Sequence, residues 1–249
     1  MSELARVLEP ISARGWPPRR LQALGQWRLQ AASGFSGRAN ACWPIGAPDR
    51  PLEAAISAVE AWYGDQGLPT IFRPADIPEN EPLRAALAAR GYGPRTETLV
   101  MAGPLCPGQA KGVRLAPDPD PGFTAVFLAS AEDPSDAAER IETLARIEPP
   151  RCFARIDLDG APVAVGASAL EAGWAGLFGM RTLAAYRRRG LARRILAALS
   201  QFAADAGAQR AYLQVEAANT PAVTLYAGLG FEVAYRYRYW DRPASVGSA

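Results

Sequence analysis

Arg187-Arg188-Arg189-Gly190-Leu191-Ala192 places three guanidiniums where a strand-like run, Trp174 to Thr182, gives way to an amphipathic helix. A helix start is a poor place for cations, because its unpaired N–H groups already carry partial positive charge. A phosphate held by those N–H groups and the arginines removes the conflict. A solvated basic turn is the plainer alternative. A second set of residues alternates near the end of the chain: Tyr235, Tyr237 and Tyr239 with Arg236, Arg238 and Trp240. Period-two alternation puts the tyrosines on one strand face, where they either line a pocket or pack a core. The chain has no histidine, which excludes a Ser/His/Asp triad, a Cys/His pair and any His-ligated metal. Proton chemistry must therefore use carboxylates, tyrosines, lysine, cysteine or water.

The elements that must position these groups read clearly in the C-terminal half. Val113 to Ala116 is a short strand, and helices are expected over Phe123 to Ala129 and Ala137 to Arg146. Arg151 to Leu158, Pro162 to Leu170 and Trp174 to Thr182 form a meander, with Asp159-Gly160 as a hairpin turn. Leu191, Ile195, Leu199, Phe202 and Ala206 recur at helical spacing, and Gly207 closes that helix. Ala211 to Glu216 is a strand. Thr220 is expected as an N-cap with Pro221 at the first helical position, and Phe231 to Trp240 as the last strand. The class is α/β with a mixed, mostly antiparallel sheet flanked by helices.

The two motifs together resemble the Gcn5-related N-acetyltransferase superfamily. Its cofactor signature, Arg/Gln-x-x-Gly-x-Gly/Ala, is matched by Arg187, Gly190 and Ala192. Its second signature is matched by Leu213 to Glu216, Asn219, Ala222, Leu225-Tyr226 and Gly230-Phe231, so the resemblance covers roughly Val113 to Trp240. Ala184 departs from it, since many members carry proline there. The resemblance implies acetyl-CoA as co-substrate and no metal. Backbone N–H groups of Arg187, Arg188, Arg189, Gly190, Leu191, Ala192 and Arg193 would receive its pyrophosphate. Met180, Arg181 and Thr182 would offer strand-edge backbone to the pantetheine arm, and Asn219 would touch that arm. Asn219 and Tyr226 are seven residues apart, nearly two turns, and share a helix face. A phenol, with a pKa of about 10, can donate to a departing thiolate whose thiol pKa is about 8.5. Tyr226 is accordingly the candidate acid, with a tethered core tyrosine as its alternative. Glu216 is the candidate base. Glu171 or a water chain is the alternative, and either carboxylate could simply be a surface group.

Net charge is +2, from 27 basic and 25 acidic residues, so the chain is no polycation built for nucleic acid or anionic lipid. The N-terminus has no signal-peptide pattern, and no apolar run reaches the ~20 residues a bilayer span needs. Cys42, Cys106 and Cys152 are dispersed, as expected of reduced, inert thiols in the cytoplasm. The tail from Asp241 to Ala249 is expected to fray.

Gly and Pro cluster between Met101 and Gly122, which places a domain boundary near residue 105. Residues from about Gly37 to Met101 read, in element order, as a degenerate copy of the C-terminal half: strand (Arg38 to Trp43), helix (Leu52 to Tyr63), strand (Thr70 to Phe72), helix (Leu83 to Ala89) and strand (Thr96 to Met101). The copy's turn, Gly46 to Pro51, carries two prolines and Asp49 and should not hold a phosphate. The leading expectation is an acetyl-CoA-dependent N-acyltransferase acting by direct attack of a small-molecule or peptide amine, with neither nucleic-acid nor membrane partner. A homodimer is an open expectation. A non-catalytic acyl-CoA sensor or inactive partner subunit is the alternative. A P-loop nucleotide enzyme is disfavoured because Lys-Ser/Thr at that spacing is absent.

Overall fold

The structure is a computed structural model that describes residues 2–243. Among the described residues, ten strands form two sheets joined edge to edge, with seven α-helices packed on them. The chain opens with helix α1 (Ser2–Arg14), which the sequence reading missed. Ala5, Leu8, Ser12 and Glu9 are buried along it, a helical stripe that survives Pro10. A hairpin, β1 (Arg20–Leu24) and β2 (Trp27–Ala31), follows and pairs with β3 (Cys42–Pro44). The strand expected from Arg38 is thus shorter, because residues 37–39 form a 3-10 turn. Helices α2 (Leu52–Asp65) and α3 (Glu81–Ala89) pack Ile56, Val59, Leu83 and Leu87 onto Trp27, Leu29 and Phe72. Between them the strand expected over Thr70 to Phe72 is reduced to isolated bridges, Phe72 to Cys42 in parallel and to Trp240 antiparallel, and Ala75 to Tyr237.

The larger sheet has the order β10-β4-β9-β8-β7-β6-β5. Its strands are β4 (Gly93–Gly103), β5 (Val113–Ala116), β6 (Arg151–Leu158), β7 (Ala161–Glu171), β8 (Trp174–Thr182), β9 (Arg210–Glu216) and β10 (Glu232–Asp241). Every neighbouring pair is antiparallel except β8 with β9. Side-chain alternation builds one core on each face. Phe153, Val165 and Ala167 meet helix α4 (Pro121–Ala129) on one side. Ala154, Ile156 and Ala164 meet Ile195 and Leu199 of helix α6 (Leu191–Asp205) on the other. Helix α5 (Pro134–Ala145) follows α4, and helix α7 (Thr220–Ala227) joins β9 to β10.

The two halves repeat one order: three-stranded meander, turn, helix, parallel neighbour, helix, last strand. Each half lends its last strand to the other. β4 lies between β9 and β10. β10 in turn exchanges backbone hydrogen bonds with Phe72, where Phe72 N donates to Trp240 O at 2.9 Å and Trp240 N donates to Phe72 O at 2.7 Å. A cut near residue 105 would fall in the connection between β4 and β5, and β4 itself lies inside the larger sheet. At the tail, Asp241 ends β10 and Arg242 donates to Arg90 O at 3.1 Å, so neither frays. Residues 244–249 of that expectation lie outside the described residues.

Candidate active site

Strands β8 and β9 pair only from Trp174–Arg210 to Leu177–Leu213. Beyond that point β8 continues along β7 to Thr182, and β9 continues along β4 to Glu216. The two strands diverge, which leaves the end of β8 without a partner on that side. A bulge sharpens the divergence, since Ala167 and Val165 of β7 face Phe178 and Arg181 of β8, with one extra residue on β8. Gly179 takes φ +59° there, as a bulge requires. The wedge opens into a cleft of about 710 Å³. Met180 and Arg181 line it from β8, and Gln214 and Glu216 from β9. Thr182 lies just past the lining, and its carbonyl accepts from Arg187 Nε at 3.3 Å.

Past Thr182 a 3-10 turn (Ala184–Tyr186) leads to the arginines. Arg188 at φ +64° and Gly190 at φ +74° are both left-handed, and Gly190 is the N-cap of α6 without a side-chain cap bond. The first-turn N–H groups of Leu191, Ala192 and Arg193 therefore have no carbonyl of their own helix to meet. A Cβ at Gly190 would find open space within 4 Å. Free donors beside an open approach are what a diphosphate needs. The arginines are partly committed. Arg187 bonds Thr182 O, Arg189 Nη2 donates to Ala185 O at 3.2 Å, and Arg188 is exposed.

Helix α7 presents Asn219, Ala222 and Tyr226 to the cleft along one face. Asn219, not Thr220, is the N-cap: its Oδ1 accepts from Ala222 N at 3.3 Å, with Thr220 at the first helical position. Tyr226 is 7% exposed, packs against Phe231, and makes no side-chain hydrogen bond to any described residue. Burial pushes its phenol up to about 12, opposed by the nearby Arg181 guanidinium. Tyr226 is thus a protonated donor at any physiological pH. Glu216, exposed at the end of β9, shares the lining with Tyr226. Glu171 does not, because it ends β7 opposite Trp174, at the far end of the sheet from the wedge, and pairs with Arg14 at 2.7 Å.

The N-terminal half supplies part of the wall, which no local sequence pattern marks. Trp16, Ser36, Arg38 and Thr98 reach the cleft, with Tyr237 and Tyr239 from β10. Tyr235, from the same strand face, is instead buried and donates to Glu9 at 2.6 Å. Helix α5 holds the Arg38 loop through Glu139, a carboxylate that is 2% exposed. It accepts from Ser33 N at 2.6 Å, Ser36 N at 2.7 Å and Asn40 Nδ2 at 2.9 Å.

The degenerate turn of the N-terminal half is folded onto its own hairpin. Ala47 N donates to Gln26 Oε1 at 2.9 Å, and Gln26 N donates to Ala47 O at 2.8 Å. All three cysteines are free thiols, and burial pushes Cys152 up to about 11, away from nucleophilic use. Among the described residues no helix is long and apolar enough to cross a membrane, and no cluster of His, Cys, Asp and Glu forms a metal site.

Comparison with known proteins agrees with this geometry. Residues 2–240 match the family model described as "Probable histone acetyltransferase Rv0428c C-terminal". A curated relative, the uncharacterized N-acetyltransferase YobR of Bacillus subtilis (strain 168), is 25% identical over 94% of this chain and 97% of its own. Among solved structures, a GCN5-related N-acetyltransferase from Kribbella flavida superposes with a TM-score of 0.71 at 20% identity, covering 96% of each chain. A tandem GNAT protein from the clavulanic acid biosynthesis pathway superposes with a TM-score of 0.60 at 15% identity, over 95% of this chain and 86% of that one. The wedge between β8 and β9, the uncapped start of α6 and the family match over residues 2–240 agree: the chain belongs to this acetyltransferase family and has the fold of Gcn5-related N-acetyltransferases.

Proposed function

We propose that the chain is an acetyl-CoA-dependent N-acetyltransferase with one cofactor site, in its C-terminal half. The observation that carries this reading is the continuity of one feature with another. A strand edge freed by the β8–β9 divergence leads to uncapped N–H groups at α6, and an unpartnered tyrosine hydroxyl lines the same wedge. Leu191, Ala192 and Arg193 would bind the diphosphate through their amides, with Gly190 allowing close approach. Met180 and Arg181 would hold the pantetheine arm as an added strand does. The co-substrate supplies an acetyl thioester.

The chain's own groups manage the protons. Glu216, directly or through water, takes a proton from the ammonium form of the acceptor. The freed nitrogen attacks the thioester carbon; the C–N bond forms, the C–S bond breaks, and the nitrogen's second proton passes to solvent. Tyr226 Oη donates its hydrogen bond, then its proton, to the departing sulfur, and recovers that proton from solvent. The Tyr226→Phe variant is expected to lose about 100-fold in kcat while its affinity for acetyl-CoA stays within about threefold. Steady-state kinetics beside calorimetry checks this, and unchanged kcat where chemistry limits the rate removes Tyr226 from the mechanism.

A further inference from the structure

Four arginines line the cleft, and two of them have no carboxylate partner among the described residues. Arg140 pairs with Asp136 at 2.7 Å, and Arg95 pairs with Asp241. Arg38 and Arg181 form no ion pair among the described residues. Arg38 donates no side-chain hydrogen bond to any described residue, its Nε is buried without a partner among them, and its guanidinium lies over Trp16 at 4.8 Å. Arg181 donates only to Met180 O at 3.2 Å and lies over Phe127 at 4.9 Å. A guanidinium carries five donors in a fixed fork, and leaving them unmatched in a half-buried site is costly.

Arg38 is also held in advance of any ligand. Glu139 fixes the residues before it, and Asn40 Oδ1 fixes them further by accepting from Ala32 N at 2.7 Å and Gly34 N at 3.1 Å. Gly37 packs so close to the Tyr239 ring that a Cβ would sit 3.1 Å from it. A rigid loop that points an unpaired guanidinium into a cleft has its ordering cost met before binding. The carboxylates of the cleft without an arginine partner are Glu132, Asp133 and Glu216, of which Asp133 caps α5 through Ser135 N at 2.8 Å. Glu216 shares the Tyr226 region and suits the ammonium end of a ligand.

We propose that the acceptor is an amino carboxylate, its carboxylate seated on Arg38 and Arg181 and its amine directed to Glu216 and Tyr226. This rests on the acetyltransferase reading above and adds the substrate class. Planar, bidentate pairing is the geometry that a guanidinium offers a carboxylate. The N-terminal half is then a specificity element, since it contributes Arg38 to a site whose reacting groups lie in the C-terminal half.

The test uses the full chain, acetyl-CoA and matched acceptors. Glycine, β-alanine, 4-aminobutanoate and 6-aminohexanoate are each compared with the corresponding amide, and aminomethylphosphonate provides a second anion. Thiol release gives turnover, and calorimetry gives acceptor binding. At least one amino carboxylate is expected to exceed its amide by about tenfold or more in kcat/KM. Arg38→Met should raise its KM by about tenfold, leave kcat within about threefold and abolish the preference. Arg38→Lys, which keeps the charge without the fork, should retain part of it. Equal use of acid and amide, an unchanged preference in Arg38→Met, or a stronger preference for the phosphonate overturns the proposal. Absence of turnover with every amine counts instead against the acetyltransferase reading. Calorimetry then decides the anion seat: amino-carboxylate binding lost in Arg38→Met supports it, and no binding to the wild type overturns it.

Discussion

Tyr226 gains its chemical character from its surroundings. Burial holds its phenol protonated up to about 12, while Arg181 pulls the other way. A raised phenol pKa means that the donor form persists as pH rises and is lost only near that value. The kcat profile should therefore climb as the acceptor ammonium deprotonates and then stay level to about pH 10. A fall centred near pH 9 that disappears in Tyr226→Phe would contradict this assignment. Tyr237 shows the opposite balance. Burial alone would raise it, but Arg38 and Arg73 together hold it below the usual phenol value. The seven-residue spacing of Asn219 and Tyr226 was enough to place both on one face, because that relation is local. The anchoring of the Arg38 loop was not legible, because Glu139 lies about a hundred residues away from the loop it holds.

At the scale of elements, the start of α6 and the divergence of β8 from β9 carry the cofactor assignment. Gly190→Val places a branched Cβ in the open approach to the first-turn amides and forces a left-handed backbone on a residue that resists it, at a cost of about 1–2 kcal/mol. Acetyl-CoA affinity should fall by about tenfold or more while acceptor KM moves by less than about threefold. Equal affinity in calorimetry would place the diphosphate elsewhere. The meander and this turn were legible because period-two alternation, Asp159-Gly160 and Gly190 are all short-range signals. Where the strands part was not legible, since pairing between β8 and β9 stops at Leu177 for reasons of partner geometry. The element α1 escaped notice because Pro10 interrupts its pattern, although its buried stripe rests on the opposite half of the molecule.

The whole molecule is joined by exchanged strands and by one buried ion pair. Arg73 is fully buried between the rings of Trp43 at 3.7 Å and Tyr237 at 3.6 Å. Glu9 of α1 meets it at 2.6 and 3.0 Å and also accepts from Tyr235 at 2.6 Å. Removing the carboxylate charge strands a cation in the core, so Glu9→Gln should lower unfolding free energy by about 3–5 kcal/mol. Denaturant titration checks this, and a loss below about 0.5 kcal/mol would show that the pair is not holding the halves together. This knot joins residues 9, 43, 73, 235 and 237, a separation that periodicity cannot report. The order of elements in each half was readable, but the exchange of β4 and β10 was not, because a strand's sequence does not name its neighbour.

The central claim is acetyl transfer to an amine at the wedge between β8 and β9. Its most direct test is amine-dependent release of free CoA thiol from acetyl-CoA, followed across broad amine classes with the wild-type chain. The account predicts stoichiometric thiol release and N-acetylated product for at least one class, both strongly reduced in Tyr226→Phe. Saturable binding of acetyl-CoA with no amine-dependent thiol release from any class would contradict it and would identify the chain as an acyl-CoA sensor.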